Sequence, residues 1–129
     1  MMDHSQIKIL LVDDEPAICR SLVGFLEDND FPTDSALSAE EALEMLAVKT
    51  YDILIADLRL PGVSGEVLIL KAHEINPKVR CLVNTGSVEY TLSEDLKQIG
   101  MKPEHVFLKP LIDMQTLITG IEKLSEGKD

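Results

Sequence analysis

Acidic residues cluster where the first apolar run of the chain ends. The segment IKILLVDDEP spans residues 7–16, and its apolar residues lead directly into Asp13, Asp14 and Glu15. Carboxylates this close repel one another by about 1 kcal/mol per pair in water and by roughly 4 kcal/mol near a protein surface. Solvent, the positive end of a helix or a cation must offset that repulsion. A cluster of carboxylates would suit a divalent cation, which prefers oxygen ligands.

Other apolar runs also end in side chains that could do chemistry. Asp57 ends the run DILIAD, Thr85 follows the run CLVN, and Lys109 precedes Pro110 in FLKP. A carboxylate can act as a nucleophile, while a hydroxyl and an ammonium can bind an anionic group. Taken singly, Asp57 and Thr85 could be turn residues and Lys109 a solvated strand end. They could form a functional site only if the fold brings them together.

The elements that must position these residues are predicted from the alternation of short apolar runs with amphipathic stretches. Strands are predicted at residues 7–12, 31–36, 52–56, 79–84 and 105–108. Helices are predicted at residues 16–28, after Ser38, after the turn at 61–65, around 92–99 and after Asp113. Ser38 and Glu41 have the spacing of a capping box, and Gly100 can end the fourth helix.

Five consecutive strand–helix units predict an α/β fold in which a parallel sheet is covered by helices on both faces. Right-handed crossovers make such a sheet doubly wound, and its sites lie beyond the carboxyl ends of the strands. Asp13, Asp14, Asp57, Thr85 and Lys109 would therefore meet at one edge. Three carboxylates there would suit Mg²⁺, which would cancel their mutual repulsion.

Length and composition limit the possible classes of protein. The 129 residues, of which 45% are hydrophobic, predict one globular domain over residues 1–129 with a core from about 6 to 125. A net charge of −11 argues against direct binding to nucleic acid. Cys19 and Cys81 lie inside apolar segments without metal-ligand spacing, which favours buried reduced thiols. No secretion signal or membrane span is recognisable, so we expect a cytoplasmic protein with no membrane contact.

The chain resembles the CheY-like receiver domain of two-component response regulators over essentially its whole length. The resemblance is carried by Asp13 and Asp14 in LLVDDEP, Asp57 in DILIADLRLPGVSG, Thr85 in NTGS, and the lysine of FLKP. It implies a flavodoxin-like, five-stranded sheet of order 2-1-3-4-5 with five helices. It also implies a phosphoprotein that takes part in phosphorelay signal transduction.

The resemblance implies that Asp57 accepts a phosphoryl group from the phosphohistidine of a sensor histidine kinase or phosphotransfer protein. The reaction would depend on Mg²⁺, held by Asp14, Asp57 and the backbone carbonyl of Arg59, with Asp13 acting through a metal-bound water. Such a domain is not an enzyme in the ordinary sense, because it catalyses only its own phosphorylation and dephosphorylation.

Further roles follow from the same resemblance. Thr85, the amide of Gly86 and Lys109 would bind the phosphoryl oxygens, and the bond between Lys109 and Pro110 would be cis. The resulting conformational switch would signal to a downstream protein or output domain through the fourth helix, fifth strand and fifth helix. Whether the chain is a stand-alone receiver or a piece of a longer regulator stays open.

Two stretches depart from the family pattern. Val106 occupies the position where the family places a switching aromatic residue on the fifth strand, and Phe107 is expected to be a core residue instead. Residues 101–105, MKPEH, replace the usual glycine-alanine turn after the fourth helix. We therefore expect an unusual fourth helix and exit.

An alternative is a haloacid-dehalogenase-like phosphohydrolase that uses Asp13 as its nucleophile. That family needs an aspartate where this chain has Glu15 and an acidic pair where it has Asn84 and Thr85, and it gives Asp57 no role. A flavodoxin-like electron carrier lacks support because no phosphate-binding loop follows the first strand. A degenerate receiver that only docks is not supported, since every site residue is present.

Overall fold

The computed structural model describes residues 4–86, 90–108 and 114–126. Five strands alternate with five helices in chain order. The strands are β1 (Ile9–Val12), β2 (Thr33–Ala36), β3 (Ile53–Asp57), β4 (Arg80–Thr85) and β5 (Val106–Leu108). The helices are α1 (Pro16–Asp28), α2 (Ala39–Val48), α3 (Gly65–Ile75), α4 (Glu94–Gln98) and α5 (Met114–Glu126). Short 3₁₀ turns cover His4–Gln6 and Pro103–His105.

All five strands are parallel, in the order β2-β1-β3-β4-β5. This confirms the doubly wound sheet and its predicted order. In register, Val12 pairs with Ala56, Asp57 pairs with Asn84, and Thr85 pairs with Leu108. The carboxyl ends of β1, β3, β4 and β5 therefore lie at one edge of the sheet.

Each face of the sheet is covered by its own set of helices, because alternate strand residues point to opposite faces. On one face, Leu10 and Leu54 pack with buried residues of α2, α3 and α4. On the other face, Leu11 and Ile53 pack with buried residues of α1 and α5. Burial on both faces explains why the central strands β1 and β3 read as continuous apolar runs rather than alternating ones.

Serine side chains begin three of the helices. Ser38 accepts a hydrogen bond from the Glu41 amide at 3.1 Å, and Ser64 and Ser93 cap α3 and α4 in the same way. The carboxylate of Glu41 accepts from the Leu37 amide at 2.8 Å, one residue earlier than a capping box requires. The predicted cap at Asp113 lies outside the described residues.

The fourth helix is shorter than predicted. It covers only five residues, Glu94–Gln98, because Ser93 caps it by accepting from the Leu96 amide at 3.2 Å. Leu92, which the sequence pattern placed in the helix, is buried just before that cap. Gly100 follows the helix with φ of +100°, a conformation that favours glycine and confirms the predicted end.

Candidate functional site

Three carboxylates meet at the carboxyl edge of the sheet. Asp57 is the last residue of β3. Asp13 and Asp14 come directly after β1, which is the strand next to β3 in the sheet. One carboxylate oxygen from each of the three lies within 4.8 Å of the others. Asp13 is 1% exposed and Asp57 is 6% exposed, whereas Asp14 faces solvent. The structure thus brings together the three acidic residues that the sequence analysis selected.

Backbone hydrogen bonds orient the two buried carboxylates. An oxygen of Asp13 accepts from the Glu15 amide at 3.0 Å, and an oxygen of Asp57 accepts from the Arg59 amide at 3.1 Å. Both bonds reach two residues along the chain, as in an Asx turn. Glu15 is the residue that precedes α1, but its side chain makes no capping hydrogen bond. Helix capping therefore does not explain the presence of the Glu15 carboxylate.

Gly65 lets α3 begin directly against the end of β3. A Cβ at residue 65 would overlap the carbonyl oxygen of Asp57 and lie 2.8 Å from the Cα of Leu58. The Gly65 amide donates to the Leu58 carbonyl at 3.0 Å, which ties the two elements together. Sequence reasoning treated this glycine as part of a turn and missed its role beside Asp57, although the second glycine of PGVSG was the available signal.

Thr85 and Gly86 lie at the same edge of the sheet. Thr85 is buried at the end of β4, one position beyond the residue that pairs with Asp57. Gly86 is exposed and follows it directly. The predicted phosphoryl-binding Lys109 and the predicted cis bond to Pro110 lie outside the described residues. The structure therefore gathers Thr85 with the carboxylates, and the role of Lys109 stays a prediction.

Asn84 is a polar residue at this edge that the sequence analysis did not select. It is 5% exposed and pairs in register with Asp57, and its Oδ1 has no hydrogen-bond partner in the described part of the chain. Leaving a buried acceptor unsatisfied typically costs about 1–3 kcal/mol. The signal for it was a lone amide near the end of the apolar run CLVN. Its position makes it a neighbour of Asp57.

The donor set fits a hard divalent cation. Carboxylates are the ligands that Mg²⁺ prefers, and a site with few protein ligands leaves room for the waters that this ion retains. The open side at Asp14 would admit those waters, while Asp13 and Asp57 are held by backbone hydrogen bonds. A cation would also relieve the repulsion among three clustered negative charges.

The chain is similar in sequence to known proteins over most of its length. The family model described as response regulator receiver domain matches residues 9–122. The uncharacterized transcriptional regulatory protein YesN of Bacillus subtilis is 32% identical over 120 residues, which cover 91% of this chain and 32% of YesN. The chain spans between 27% and 52% of the length of the first curated relatives that it matches.

Solved structures share the fold. A CheY-like receiver domain protein from Methanospirillum hungatei is 28% identical, with a TM-score of 0.78 and coverage of 93% of this chain and 94% of that one. TrrA from Thermotoga maritima, solved in complex with Mg²⁺-BeF, is 24% identical, with a TM-score of 0.79 and coverage of 92% and 98%.

Among the described helices, none combines the length and apolar character needed to cross a membrane.

Proposed function

The chain belongs to the family of response regulator receiver domains, and we propose that Asp57 is the residue that accepts the phosphoryl group. The observation that carries this proposal is the placement of the Asp57 carboxylate within 4.8 Å of those of Asp13 and Asp14. A sensor histidine kinase or a phosphotransfer protein would be the donor, through its phosphohistidine. This agrees with the resemblance recognised in the sequence.

Mg²⁺ is the proposed cofactor. Asp14, Asp57 and the backbone carbonyl of Arg59 would hold it directly, and Asp13 would bind one of its waters. When bound, the ion would supply positive charge that offsets the carboxylates and the incoming phosphoryl oxygens.

The residues of this chain would act mainly by positioning and by balancing charge. A carboxylate oxygen of Asp57 attacks the phosphorus of the phosphohistidine, so that an O–P bond forms as the N–P bond breaks. The imidazole leaves with the bonding electrons and takes up a proton. The hydroxyl of Thr85, the amide of Gly86 and the ammonium of Lys109 would donate hydrogen bonds to the phosphoryl oxygens.

The phosphorylated domain would act as a signalling switch and not as an enzyme on other substrates. Phosphorylation adds a charge near −2 and three acceptor oxygens at Asp57, which would draw Thr85 toward them. The change would reach a downstream protein or output domain through α4, β5 and α5. We place this activity in the cytoplasm, where histidine kinases present their phosphohistidine, without direct binding to membrane or nucleic acid.

The test is phosphorylation by acetyl phosphate in the presence of Mg²⁺, followed by intact-mass measurement. The wild-type chain should gain one phosphoryl group, and Asp57→Asn should gain none. Asp95→Asn, an exposed residue of α4, is the matched control and should be labelled like the wild type. If Asp57→Asn were still labelled while Asp13→Asn was not, the chain would be using Asp13 as a phosphohydrolase of the haloacid-dehalogenase type does.

The metal is tested by thermal unfolding with and without Mg²⁺. An ion that binds only the folded site raises the melting temperature as its concentration exceeds its dissociation constant. Asp14→Ala should lose most of that increase, whereas Asp95→Ala should retain it. An undiminished response of Asp14→Ala would exclude Asp14 as a ligand.

A further inference from the structure

A groove of about 650 Å³ lies between the segment that follows α4 and the last helix, α5. Residues between 100 and 105 form one wall, and α5 forms the other. Arg80, the first residue of β4, lines the groove, whereas Thr85, the last residue of that strand, lies at the carboxylate site. At about 3.3 Å per residue, the two ends of β4 are roughly 17 Å apart. The groove is therefore separate from the site around Asp57.

Positive charge gathers in this groove although the chain is acidic overall. Arg80, Lys102 and Lys123 line the groove, and Glu104 is the one carboxylate that does so among the described residues. The chain as a whole carries a net charge of −11. Like charges brought together repel one another, and an anion held between them would offset that repulsion. A concave surface with one sign of charge also concentrates ligands of the opposite sign.

The surroundings of His105 place two of these cations on the same side of the groove. Burial lowers the pKa of His105 most, the carboxylate of Glu104 raises it, and the charges of Lys102 and Arg80 lower it further. Both cations therefore lie near this imidazole. Lys123 comes from α5, on the opposite wall. The groove thus offers positive charge on two sides.

Hydrogen-bond donors accompany the cations. The Nδ1 atom of His105 accepts a hydrogen bond from the Lys102 amide at 3.0 Å, so the neutral ring carries its proton on Nε2 and can donate from there. The hydroxyls of Thr116 and Thr119 on α5 also line the groove and can donate. Cations and donors together suit a ligand that consists mainly of hydrogen-bond acceptors.

We infer that this groove binds a small anion with two or more linked phosphate groups, supplied by a nucleotide or an inorganic polyphosphate. One phosphate would lie beside Lys102 and Arg80, and another beside Lys123 and Thr119. Two linked groups are needed because the cations come from both walls. A phosphate offers three strong acceptor oxygens, which matches these donors better than the two oxygens of a carboxylate. Lysine binds phosphate as a point charge.

The size of the groove agrees with such a ligand. Its volume of about 650 Å³ falls within the range of roughly 300–1,000 Å³ that is usual for small-molecule sites, so several linked groups can fit. The inference goes beyond the proposed function, because it concerns a second site on the molecule and a ligand that is not covalently attached.

The stretch MKPEH, which departs from the family pattern, supplies one wall of this site. Lys102, Glu104 and His105 all come from it, and the 3₁₀ turn Pro103–His105 follows Lys102 directly. On the opposite wall, Gly120 contributes no side chain that would fill the space. The chemistry of the groove is thus a property of this chain's own sequence.

The test is isothermal titration calorimetry with inorganic triphosphate in the presence of EDTA, so that no Mg²⁺ can link the ligand to the carboxylate site. The wild type should bind triphosphate at least about tenfold more tightly than inorganic phosphate at equal ionic strength. The double variant Lys102→Ala, Lys123→Ala should bind triphosphate about tenfold more weakly than the wild type. The matched control Lys71→Ala, Lys78→Ala makes the same change in net charge on exposed residues outside the groove and should bind within about twofold of the wild type.

A second measurement locates the bound ligand. NMR titration should show a higher pKa of His105 with triphosphate than without it, because a nearby anion favours the charged imidazole. His4, which contacts Glu122 and does not line the groove, should change little. Adenosine triphosphate, measured in the same way, identifies the source of the phosphates: tighter binding than inorganic triphosphate indicates a nucleotide, and equal or weaker binding indicates a polyphosphate.

Several outcomes would overturn the inference: no saturable binding of triphosphate by the wild type at millimolar concentrations, equal weakening by the two double variants, or a His105 titration that triphosphate does not change. Citrate binding as tightly as triphosphate would exclude phosphate as the ligand class, and tighter binding of a glutamate peptide or a single-stranded oligonucleotide would assign the groove to a macromolecule. Failure of the proposed function is distinguishable. Asp57→Asn should bind triphosphate normally, and the groove variant should still be phosphorylated by acetyl phosphate.

Discussion

At the scale of single residues, hydrogen-bond partners and burial decide which side chains are charged. Asp34 accepts hydrogen bonds from the Lys49 ammonium at 2.7 Å and the Tyr51 hydroxyl at 2.6 Å. The bond from Lys49, followed by that from Tyr51, holds the pKa of Asp34 below its usual range. Burial raises the pKa of the Cys81 thiol to about 12, so this cysteine is an unreactive core residue. Asn84 at the candidate site contrasts with Asp34, because its Oδ1 is buried without a hydrogen-bond partner in the described part of the chain.

His4 shows how such compensation makes stability depend on pH. Its Nδ1 lies 2.7 Å from the carbonyl of Asn29, and its Nε2 lies 2.8 Å from the carboxylate of Glu122. Both partners can only accept hydrogen bonds, so both contacts are hydrogen bonds at once only when both ring nitrogens carry a proton, which is the charged form of the ring. The hydrogen bond to the Asn29 carbonyl is the largest cause that raises the pKa of His4, and the charges of Glu122 and Asp30 add to it. The ring also stacks on Phe31, with centroids 4.1 Å apart.

A raised pKa in the folded state means that His4 stabilises the fold fully below the unfolded value of about 6.5. That stabilisation is lost as the pH rises through the folded value. Glu122→Gln should lower the pKa of His4, so the difference in melting temperature from the wild type should be largest at acidic pH and shrink as pH rises. The two measurements are NMR titration of the ring and thermal unfolding across this range.

His105 serves as an internal reference, because its pKa lies below the usual value. In one NMR titration, His4 should release its proton at a higher pH than His105. The reverse order, or a His4 titration that is the same in Glu122→Gln as in the wild type, would contradict the assignment.

At the scale of secondary structure elements, the end of β3 and the start of α3 share one close backbone contact. Gly65 begins α3 where any side chain would overlap the backbone of Asp57 and Leu58. Because Asp57 is the last residue of β3, this contact also holds the backbone from which its carboxylate projects. The geometry of the site therefore depends on the packing of two elements and not on the aspartate alone.

Gly65→Ala should lower the free energy of unfolding by about 1–3 kcal/mol, the usual cost of overpacking, and should reduce labelling by acetyl phosphate. The matched control is Gly24→Ala in α1, where a Cβ would have no neighbour within 4 Å. Because alanine is the better helix former, that variant should be more stable by about 0.5–1 kcal/mol and be labelled normally. Urea unfolding and intact-mass measurement check both. Equal stability of the two variants would show that the contact at Gly65 is relaxed at little cost.

At the scale of the whole molecule, the two faces of the sheet divide the core between different helices. Phe107 packs with residues of α1 and α5 on one face, which confirms the expectation that it is a core residue. Val106 packs on the opposite face with the cluster that contains Leu96 of α4. Thr85 pairs in register with Leu108, so it shares the face of Val106. A signal from Thr85 would thus reach the α4 side of the molecule first.

We expect activation to alter residues 87–105 and to spare α1 beyond its first turn. Moving a switch from mostly off to mostly on needs roughly 5.5 kcal/mol of differential stabilisation, and the phosphoryl contacts of Thr85 and Lys109 are the proposed source. Amide hydrogen exchange with and without beryllofluoride, a mimic of the phosphoryl group, measures the change. Thr85→Ala should shrink the response and Val106→Ala should leave it nearly unchanged. A response that is lost in Val106→Ala, with residues 87–105 silent in the wild type, would place the switch on β5 instead.

The amino-acid sequence by itself was enough to predict the class of fold and which residues lie together at the candidate site. Apolar runs, serine caps and glycine ends are local signals, and the bounds of α1 matched the structure at both ends. Asp13, Asp14, Asp57 and Thr85 could be selected because the ends of parallel strands always meet at one edge. The 2-1-3-4-5 order came from the family resemblance, since periodicity alone does not determine which strands are neighbours.

Tertiary structure alone decided where elements approach one another closely. The overlap that a side chain at residue 65 would make and the unpaired buried amide oxygen of Asn84 both result from how neighbouring elements pack in the described part of the chain. A periodic pattern records which side of an element is apolar, but not the distance to its neighbour. That distance depends on how the volumes of many side chains pack together, and a short stretch of sequence does not determine it.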